Sequence, residues 1–322
     1  MRIISAAEVD RALDFPALVE VLRVGFRKGA IQPVRHHHTV ERPDGQPTTL
    51  LLMPAWSDFA AVGDESGHIG VKIATVSPDN NAIGKPAVMA QYLLLDGRTG
   101  EPQALIDGAR LTLWRTATAS ALAADYLARP DASRMLMIGA GALAPFLVRA
   151  HAAVRPIRKV AIWNRTPDKA EALAAELSGE GFEASAVTDV DAAAGDADII
   201  SAATISTVPL VRGAALKPGA HVDLVGAFSP VMRESDDEAV RKSRVYVDTR
   251  GGALKEAGDI VQAIASGALT ESAISGDLFQ LTRGEADGRR TSDEMTLFKS
   301  VGAALEDLAA AIYVYETISA TR

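Results

Sequence analysis

The spacing of hydrophobic residues in the first third of the chain predicts one helix followed by short strands. After Ser5, a residue type that caps helices well, apolar side chains recur at helical spacing. The residues with this spacing are Val9, Leu13, Leu18, Leu22 and Phe26. Three apolar runs follow at 48–53, 70–76 and 88–95, and turn sequences rich in Pro, Asp and Gly separate them. These runs predict a largely antiparallel sheet.

From residue 134 onward the pattern changes, because strand-type runs alternate with helix-type segments. An Ala- and Leu-rich stretch at 116–129, ended by Pro130, predicts the helix that precedes this region. The strand-type runs lie at 135–138, 159–163, 184–187, 199–203, 221–225 and 244–247. Such alternation is typical of an α/β fold with a doubly wound parallel sheet. The apolar pattern at 296–317 predicts a final helix.

Composition sets limits on the partners and the chemistry of this fold. With 322 residues, the chain has room for about two domains at roughly 150 residues each. Its formal net charge of −8 offers no general attraction for nucleic acid or an anionic membrane, so we expect neither as a partner. The absence of cysteine excludes disulfides and thiolate nucleophiles.

The sequence predicts a cytoplasmic protein. The longest strongly apolar run, at 135–148, is shorter than the roughly 20 residues that span a bilayer. The N-terminus also lacks the apolar core of a signal peptide.

A glycine loop follows the first strand of the alternating region and has the form G-x-G-x-x-A. Gly139 permits a tight turn, Gly141 lets the backbone approach a pyrophosphate, and Ala144 allows close packing of helix on strand. The free N–H groups at the start of the next helix would hold the phosphates. We therefore predict a dinucleotide site that includes Gly139, Ala140, Gly141, Ala142 and Leu143. The alternative is a glycine turn that binds nothing.

The end of the second strand indicates which dinucleotide is preferred. An NAD site usually offers Asp or Glu there, to bond the ribose hydroxyls. This chain has Asn164, Arg165 and Thr166, and a guanidinium can hold a 2′-phosphate with two parallel bonds. We expect NADPH as the cofactor, with NADH as the alternative.

Several segments together resemble the ornithine cyclodeaminase/μ-crystallin family. These are the segment 115–128, the glycine loop and the segment 296–307, and 52–55 and 70–73 also fit. The resemblance extends over nearly the whole chain.

The resemblance implies a homodimer of two-domain subunits. An α+β domain at 1–115 plus 303–322 would bind substrate and form the dimer, and a Rossmann-type domain at 116–302 would bind the nucleotide. The active site would lie in the cleft between them.

Family resemblance also assigns candidate site residues. Lys72 and Arg115 stand at the family's substrate-binding lysine and arginine positions, Arg35 matches a further arginine more loosely, and Met53 lies in the first-domain motif. A carboxylate-bearing substrate needs such cations, and a lysine with a lowered pKa can also supply a proton. The further cofactor-binding residues that the family implies are Thr204, Val225, Ser300 and Gly302.

One departure from the family pattern indicates the reaction. Cyclodeaminases carry an Asp in the loop where this chain has Phe228, and a family threonine is replaced by Ala87. A phenyl ring cannot accept a proton, so ornithine cyclodeamination is disfavoured. An apolar ring suits a small cyclic substrate, so we expect Phe228 to bind the substrate. The loop resembles that of members that reduce Δ1-pyrroline-2-carboxylate and Δ1-piperideine-2-carboxylate, which implies an NADPH-dependent cyclic ketimine reductase forming L-proline or L-pipecolate. The alternatives are ornithine cyclodeaminase, L-alanine dehydrogenase, and a non-catalytic μ-crystallin-like protein that binds NADPH and a small ligand.

Two further groups of polar residues could bind a metal or contribute to the site, a histidine run and a pair of acidic residues. The run His36 to His38 suggests a metal, but adjacent residues of a strand alternate sides, so we predict no metal site. Glu306 and Asp307, near the predicted final helix, we expect to be structural.

Overall fold

The computed structural model describes residues 1–58 and 67–320, and it divides into two compact units. Unit 1 comprises Met1–Thr116 with Ala303–Arg322, and unit 2 comprises Ala117–Gly302. The last two residues of the segment expected at 303–322 lie outside the described residues.

Within the described residues, fourteen strands form two sheets. They are β1 (Arg2–Ile4), β2 (His36–Val40), β3 (Thr48–Trp56), β4 (His68–Val76), β5 (Val88–Asp96), β6 (Pro102–Asp107), β7 (Arg134–Ile138), β8 (Lys159–Trp163), β9 (Glu183–Ala186), β10 (Ile199–Ala202), β11 (His221–Leu224), β12 (Ser243–Val247), β13 (Ile274–Asp277) and β14 (Met295–Lys299).

The α-helices within the described residues are α1 (Ala6–Ala12), α2 (Phe15–Lys28), α3 (Gly108–Leu127), α4 (Ala144–Val154), α5 (Pro167–Gly179), α6 (Val190–Asp196), α7 (Asp237–Lys242), α8 (Arg250–Glu256), α9 (Gly258–Ala265), α10 (Leu278–Arg283) and α11 (Ala304–Ala320). Short 3₁₀ turns lie at Pro78–Ile83, Gly213–Ala215 and Glu271–Ala273. None of the helices in the described part of the chain is long and apolar enough to cross a membrane.

Unit 1 is built on a six-stranded sheet of order β1-β6-β5-β4-β3-β2. Neighbours from β2 to β6 pair antiparallel, as expected, while β1 pairs parallel to β6. The register aligns Met53, Lys72, Tyr92 and Ile106 in one row across β3 to β6. Because alternate residues of a strand share a face, this row lies on one face. All four side chains are buried, and apolar residues of α11 belong to the same core.

The prediction of a single N-terminal helix was wrong, since the pattern belongs to two helices. Glu8 accepts hydrogen bonds from the backbone and the hydroxyl of Ser5, which caps α1 as expected. The chain is then extended at Leu13, and the Asp14 carboxylate accepts from Ala17 N to begin α2. Both helices keep their apolar residues towards the same core, so the periodicity continues across the break.

Unit 2 contains an eight-stranded, wholly parallel sheet of order β13-β12-β14-β11-β10-β7-β8-β9. This is a Rossmann-type sheet, and it confirms the α/β fold class. The expected helix at 296–317 was wrong at its start, because Met295–Lys299 is a central strand and α11 begins only at Ala304. Hydrophobic periodicity cannot distinguish a short apolar strand from the beginning of an adjacent helix, because the run is too short to show either period.

The helix expected at 116–129 begins earlier, at Gly108, and the boundary between the units falls inside it. The Asp107 carboxylate accepts from Arg110 N, which caps this start. A Cβ atom on Gly108 would lie 2.8 Å from the carbonyl carbon of Gln91, so glycine is needed where α3 approaches β5.

Candidate active site

Four charged side chains form a buried cluster in unit 1. The Lys72 ammonium lies 2.7 Å and 3.0 Å from the two carboxylate oxygens of Asp307. Arg115 Nε donates to Asp307 Oδ1 at 3.0 Å, and Arg115 Nη1 donates to Glu306 Oε2 at 2.6 Å. The exposed fraction of each of these residues is 5% or less. Two cations and two carboxylates therefore balance one another away from water.

Local sequence explains how each charge reaches this position. Lys72 occupies an inward position of β4, between the less buried Val71 and Ile73. Arg115 extends from α3, and the carboxylates lie in the first turn of α11, where the helix dipole favours negative charge. Glu306 and Asp307, which the sequence predicts to be only structural, are thus direct partners of the two candidate substrate-binding cations.

The cluster shifts the pKa values of its members. Burial and then the Arg115 charge lower the pKa of the Lys72 ammonium to about 8, although Asp307 acts to raise it. Burial acts to raise the pKa of Asp307, yet Arg115 and Lys72 hold it below its usual range. Burial acts against the charged form of Arg115, but Asp307 and Glu306 raise its pKa. Near neutral pH, all three groups are therefore predominantly charged.

Arg115 retains a donor for a ligand. Within the described residues, Arg115 bonds Asp307 through Nε and Glu306 through Nη1. Its Nη2 makes no hydrogen bond to either carboxylate. Arg35 lies in the segment just before β2, is partly exposed, and contributes a positive charge that acts on Lys72. In the same segment, Gln32 Oε1 accepts from Leu305 N at the start of α11. Unit 1 thus places Met53, Lys72 and Arg115 in one buried region. The positive charge of Arg35 acts on Lys72 within this region.

Tyr92 is a member of this region that the sequence did not indicate. It pairs with Lys72 across β4 and β5 and is fully buried. Its hydroxyl has no hydrogen-bond partner among the described residues. Burial, and then the charge of Asp307, raise its pKa well above the usual range, so it stays neutral.

In unit 2, the glycine loop has the geometry that a dinucleotide requires. Gly139 has φ of +105°, and a Cβ there would lie 2.7 Å from the carbonyl oxygen of Ala203. A Cβ on Gly141 would meet open space, so a pyrophosphate could approach this backbone closely. Helix α4 begins directly after the loop. These residues fit a nicotinamide dinucleotide.

The residues after β8 lie beside this loop. Asn164 Oδ1 accepts from Ala140 N at 3.1 Å, and its amide donates to the carbonyl oxygen of Thr166. Arg165 and Thr166 are exposed. The structure thus joins the loop to the segment that carries Arg165.

The other candidate cofactor residues have different surroundings. Val225 is buried, and its N–H donates to Ala202 O. The N–H of Gly302 donates to Asp248 Oδ2 at 2.7 Å and is already engaged. Ser300 is buried, and its hydroxyl has no hydrogen-bond partner in the described part of the chain. Phe228, the residue that replaces the family Asp, is 42% exposed and lies in unit 2.

Glu234 holds two loops of unit 2 together, a role that no sequence motif indicated. Its Oε1 accepts from the N–H and the hydroxyl of Thr204, and its Oε2 accepts from Gly226 N and Ala227 N. Burial raises its pKa to about 7, with Lys299 opposing the rise. This carboxylate therefore fixes the segments that carry Thr204 and precede Phe228.

The histidine run lies on β2, and all three residues are exposed. No group of three or more His, Asp or Glu that could hold a metal ion occurs in residues 1–58 and 67–320.

A parallel sheet with a glycine loop at the start of a helix defines a dinucleotide-binding protein. The model of the ornithine cyclodeaminase/mu-crystallin family matches residues 2–322, and the chain belongs to this family. The resemblance found in the sequence is confirmed.

Relatives within the family include enzymes with named activities. The chain is 42% identical to Protein SAR DEFICIENT 4 of Arabidopsis thaliana over 292 residues, which are 88% of this chain and 86% of the relative. It is 39% identical to a Delta(1)-pyrroline-2-carboxylate reductase of Paracoccus denitrificans, over 89% of this chain and 91% of the relative.

A solved structure of the same kind is similar over the full length. It is the Delta(1)-pyrroline-2-carboxylate reductase of Thermococcus litoralis in complex with NADH and L-proline. The TM-score is 0.93 and the sequence identity is 33%, with 100% of this chain and 98% of that chain covered.

Proposed function

We propose that the protein reduces a cyclic ketimine carboxylate, Δ1-pyrroline-2-carboxylate or its six-membered homologue Δ1-piperideine-2-carboxylate, to L-proline or L-pipecolate with NADPH. The observation that carries the proposal is the buried pair of Lys72 and Arg115, oriented by carboxylates, with Arg115 Nη2 left for a ligand. The similar Paracoccus and Thermococcus enzymes support this substrate class. The chain is an oxidoreductase of the NAD(P)H-dependent class that acts on C=N bonds.

In this proposal, unit 1 binds the substrate by its carboxylate. Arg115 Nη2 donates to one carboxylate oxygen, as guanidinium groups do to planar anions. Glu306 and Asp307 balance the charges of Lys72 and Arg115, and the positive charge of Arg35, which also acts on Lys72, adds to the attraction for the substrate carboxylate. Met53 and Tyr92 flank Lys72 in the same row and supply a largely apolar surface for the ring.

Lys72 is the proposed proton donor. Its ammonium has a pKa of about 8, so it is charged near neutral pH and transfers a proton readily. The N–H bond of Lys72 breaks as the imine nitrogen is protonated, and the resulting iminium is the better electrophile. NADPH, which the glycine loop and Arg165 would hold, would supply the hydride for reduction of the iminium to the amine. Lys72 then regains a proton from water.

Phe228 argues against the rival reaction. An ornithine cyclodeaminase needs a base to assist the loss of ammonia, and a phenyl ring has no acceptor for a proton. Imine reduction needs no such base at this position. Phe228 is therefore compatible with a reductase.

Arg165 supports the preference for NADPH. It is exposed next to Asn164, whose side chain bonds to the glycine loop. A guanidinium there can hold a 2′-phosphate, whereas no carboxylate stands at this position to bond a free ribose hydroxyl. A lower Michaelis constant for NADPH than for NADH is the expected result, and equal values would contradict the preference.

We also propose a homodimer that forms through the outward face of the unit 1 sheet. Ile73 and Met89 lie on this face, opposite to the row that holds Lys72, and both are more than 40% exposed. A soluble domain rarely leaves large apolar residues clustered in water. Light scattering after size-exclusion chromatography is expected to give twice the chain mass of 33.8 kDa.

One spectrophotometric assay tests the proposed reaction. Oxidation of NADPH is followed with each of the two cyclic imines, and turnover with at least one of them is expected. Ammonia release from ornithine or NADH formation from L-alanine would instead support a cyclodeaminase or an alanine dehydrogenase. Tight NADPH binding without turnover on any of these substrates would support a crystallin-like binding protein and refute the proposed reduction.

A further inference from the structure

The two adjacent carboxylates at the start of α11 do not have the same partners. Asp307 bonds both Lys72 and Arg115, whereas Lys72 bonds Asp307 and not Glu306 within the described residues. Glu306 accepts from Arg115 Nη1. Asp307 is therefore the group that links the ammonium to the guanidinium.

Lys72 depends on a counter-charge because of its surroundings. Its exposed fraction is 3%, and the positive charges of Arg115 and Arg35 act on it. Tyr92, which faces it from β5, is neutral. Thr112 Oγ1 on α3 is 3.5 Å from the ammonium and carries no charge. A buried cation beside two others would lose its proton without a compensating anion, and Asp307 is the carboxylate in contact with it.

We propose that Asp307 is a positioning residue that keeps the Lys72 ammonium charged and fixes it beside Arg115. This inference rests on the proposed function, in which Lys72 donates a proton to the imine nitrogen. Both carboxylate oxygens of Asp307 lie within 3.0 Å of the ammonium nitrogen, so the same contacts set its charge and its direction. Glu306, the neighbouring carboxylate, bonds Arg115 and not Lys72 within the described residues, so a substitution at Glu306 is the matched control.

The inference is tested first without any substrate. In full-length protein labelled with [¹³Cε]lysine, the Lys72 resonance is assigned with Lys72→Arg and titrated by NMR. Asp307→Asn is expected to lower the pKa of Lys72 by about 1 unit or more, as expected when an opposite charge at this distance is removed. Glu306→Gln is expected to move it by less than half as much. An unchanged midpoint in folded Asp307→Asn would overturn the inference.

Activity supplies the second measurement. Because the protonated form of Lys72 is the active one, kcat/KM falls as pH rises through its pKa. Asp307→Asn is expected to move this alkaline limb to lower pH and to lower kcat/KM roughly fivefold at pH 8. Glu306→Gln is expected to raise the Michaelis constant of the imine and to move the limb by less than half as much as Asp307→Asn does.

If Asp307→Asn does not fold by circular dichroism, Asp307→Glu tests the position of the carboxylate. It keeps the charge but moves the carboxylate oxygens by one methylene. We therefore expect a pKa of Lys72 close to that in the wild-type protein and a clearly reduced kcat. A folded Asp307→Glu protein with wild-type kcat would overturn the inference. If no imine is turned over by the wild-type protein, the proposed function fails, while the NMR titration still decides the role of Asp307.

Discussion

A Cβ atom on Gly70 in β4 would overlap the hydroxyl group of Tyr92 in β5. The tyrosine hydroxyl therefore occupies the space that a side chain at position 70 would need. The glycine makes room for a buried phenol beside Lys72, its cross-strand neighbour. The motif 70–73 thus contributes two features to the site, a lysine on the inward face and a gap for the tyrosine.

Replacing Gly70 with alanine is expected to destabilise the protein by about 1–3 kcal/mol, as overpacking of a core does. Urea unfolding measures the change. Gly179→Ala is the control, since a Cβ on Gly179 meets nothing within 4 Å, and we expect little change or a small gain in stability there. Equal stability of the two variants would show that Tyr92 moves aside at no cost.

Arg115→Ala is expected to raise the Michaelis constant of the imine substrate about 10- to 100-fold, because a charged hydrogen bond to the substrate carboxylate is lost. The affinity for NADPH, measured by fluorescence titration, is expected to remain nearly intact. An unchanged substrate constant would remove Arg115 from the site. The thermal midpoint of the variant is checked as well, because Glu306 and Asp307 lose a partner.

Arg165→Ala is expected to lower the kcat/KM for NADPH about tenfold or more and to leave that for NADH nearly unchanged. The reason is the loss of a charged contact with the 2′-phosphate. The ratio of the two specificity constants is the measurement. Arg158→Ala, at another exposed arginine of the same unit, is the control and is expected to keep the wild-type ratio. Equal effects of the two substitutions would show that the loss of any positive charge on this unit lowers the preference for NADPH, without a direct contact between Arg165 and the 2′-phosphate.

His221 is expected to make the protein acid-sensitive. Burial lowers its pKa from 6.5 to about 3, with His151 and two nearby arginines also lowering it and Asp223 opposing. Between these values the unfolded chain binds a proton that the folded chain does not, so the free energy of unfolding falls as pH falls from 6.5 to 3.

His221→Asn is expected to reduce that slope by up to one proton, about 1.4 kcal/mol per pH unit. Urea unfolding at several pH values gives the slope. The exposed His36→Asn is the control and is expected to leave it unchanged. A slope that His221→Asn does not alter would assign the acid sensitivity to other groups.

Much of the parallel unit could be predicted from its sequence. The run 159–163 forms β8 with the expected bounds, because its apolar residues are bounded by polar ones and a proline starts the next helix. Strand β14 could not be distinguished from the final helix in the sequence, since its apolar residues continue into those of α11 and the period does not change clearly. Short strands such as β1 carry too few residues to show a period.

The candidate site was predicted in part. Lys72 and Arg115 were identified by family motifs, and the structure places them in one cluster. The sequence predicts that their carboxylate partners are structural, and no motif indicates Tyr92 or Glu234. Each of these residues owes its role to neighbours that are distant in the chain or to complete burial, and neither property has a local signature.

The sequence by itself determined what depends on near neighbours: the glycine loop, the alternation of strands and helices, the helix caps and the family. Only the tertiary structure decided how the buried charges pair. Lys72 and Asp307 are 235 positions apart and meet because α11 packs on the sheet of unit 1. Burial then makes that contact decisive for the proton on Lys72, since a charge removed from water depends on the groups that touch it.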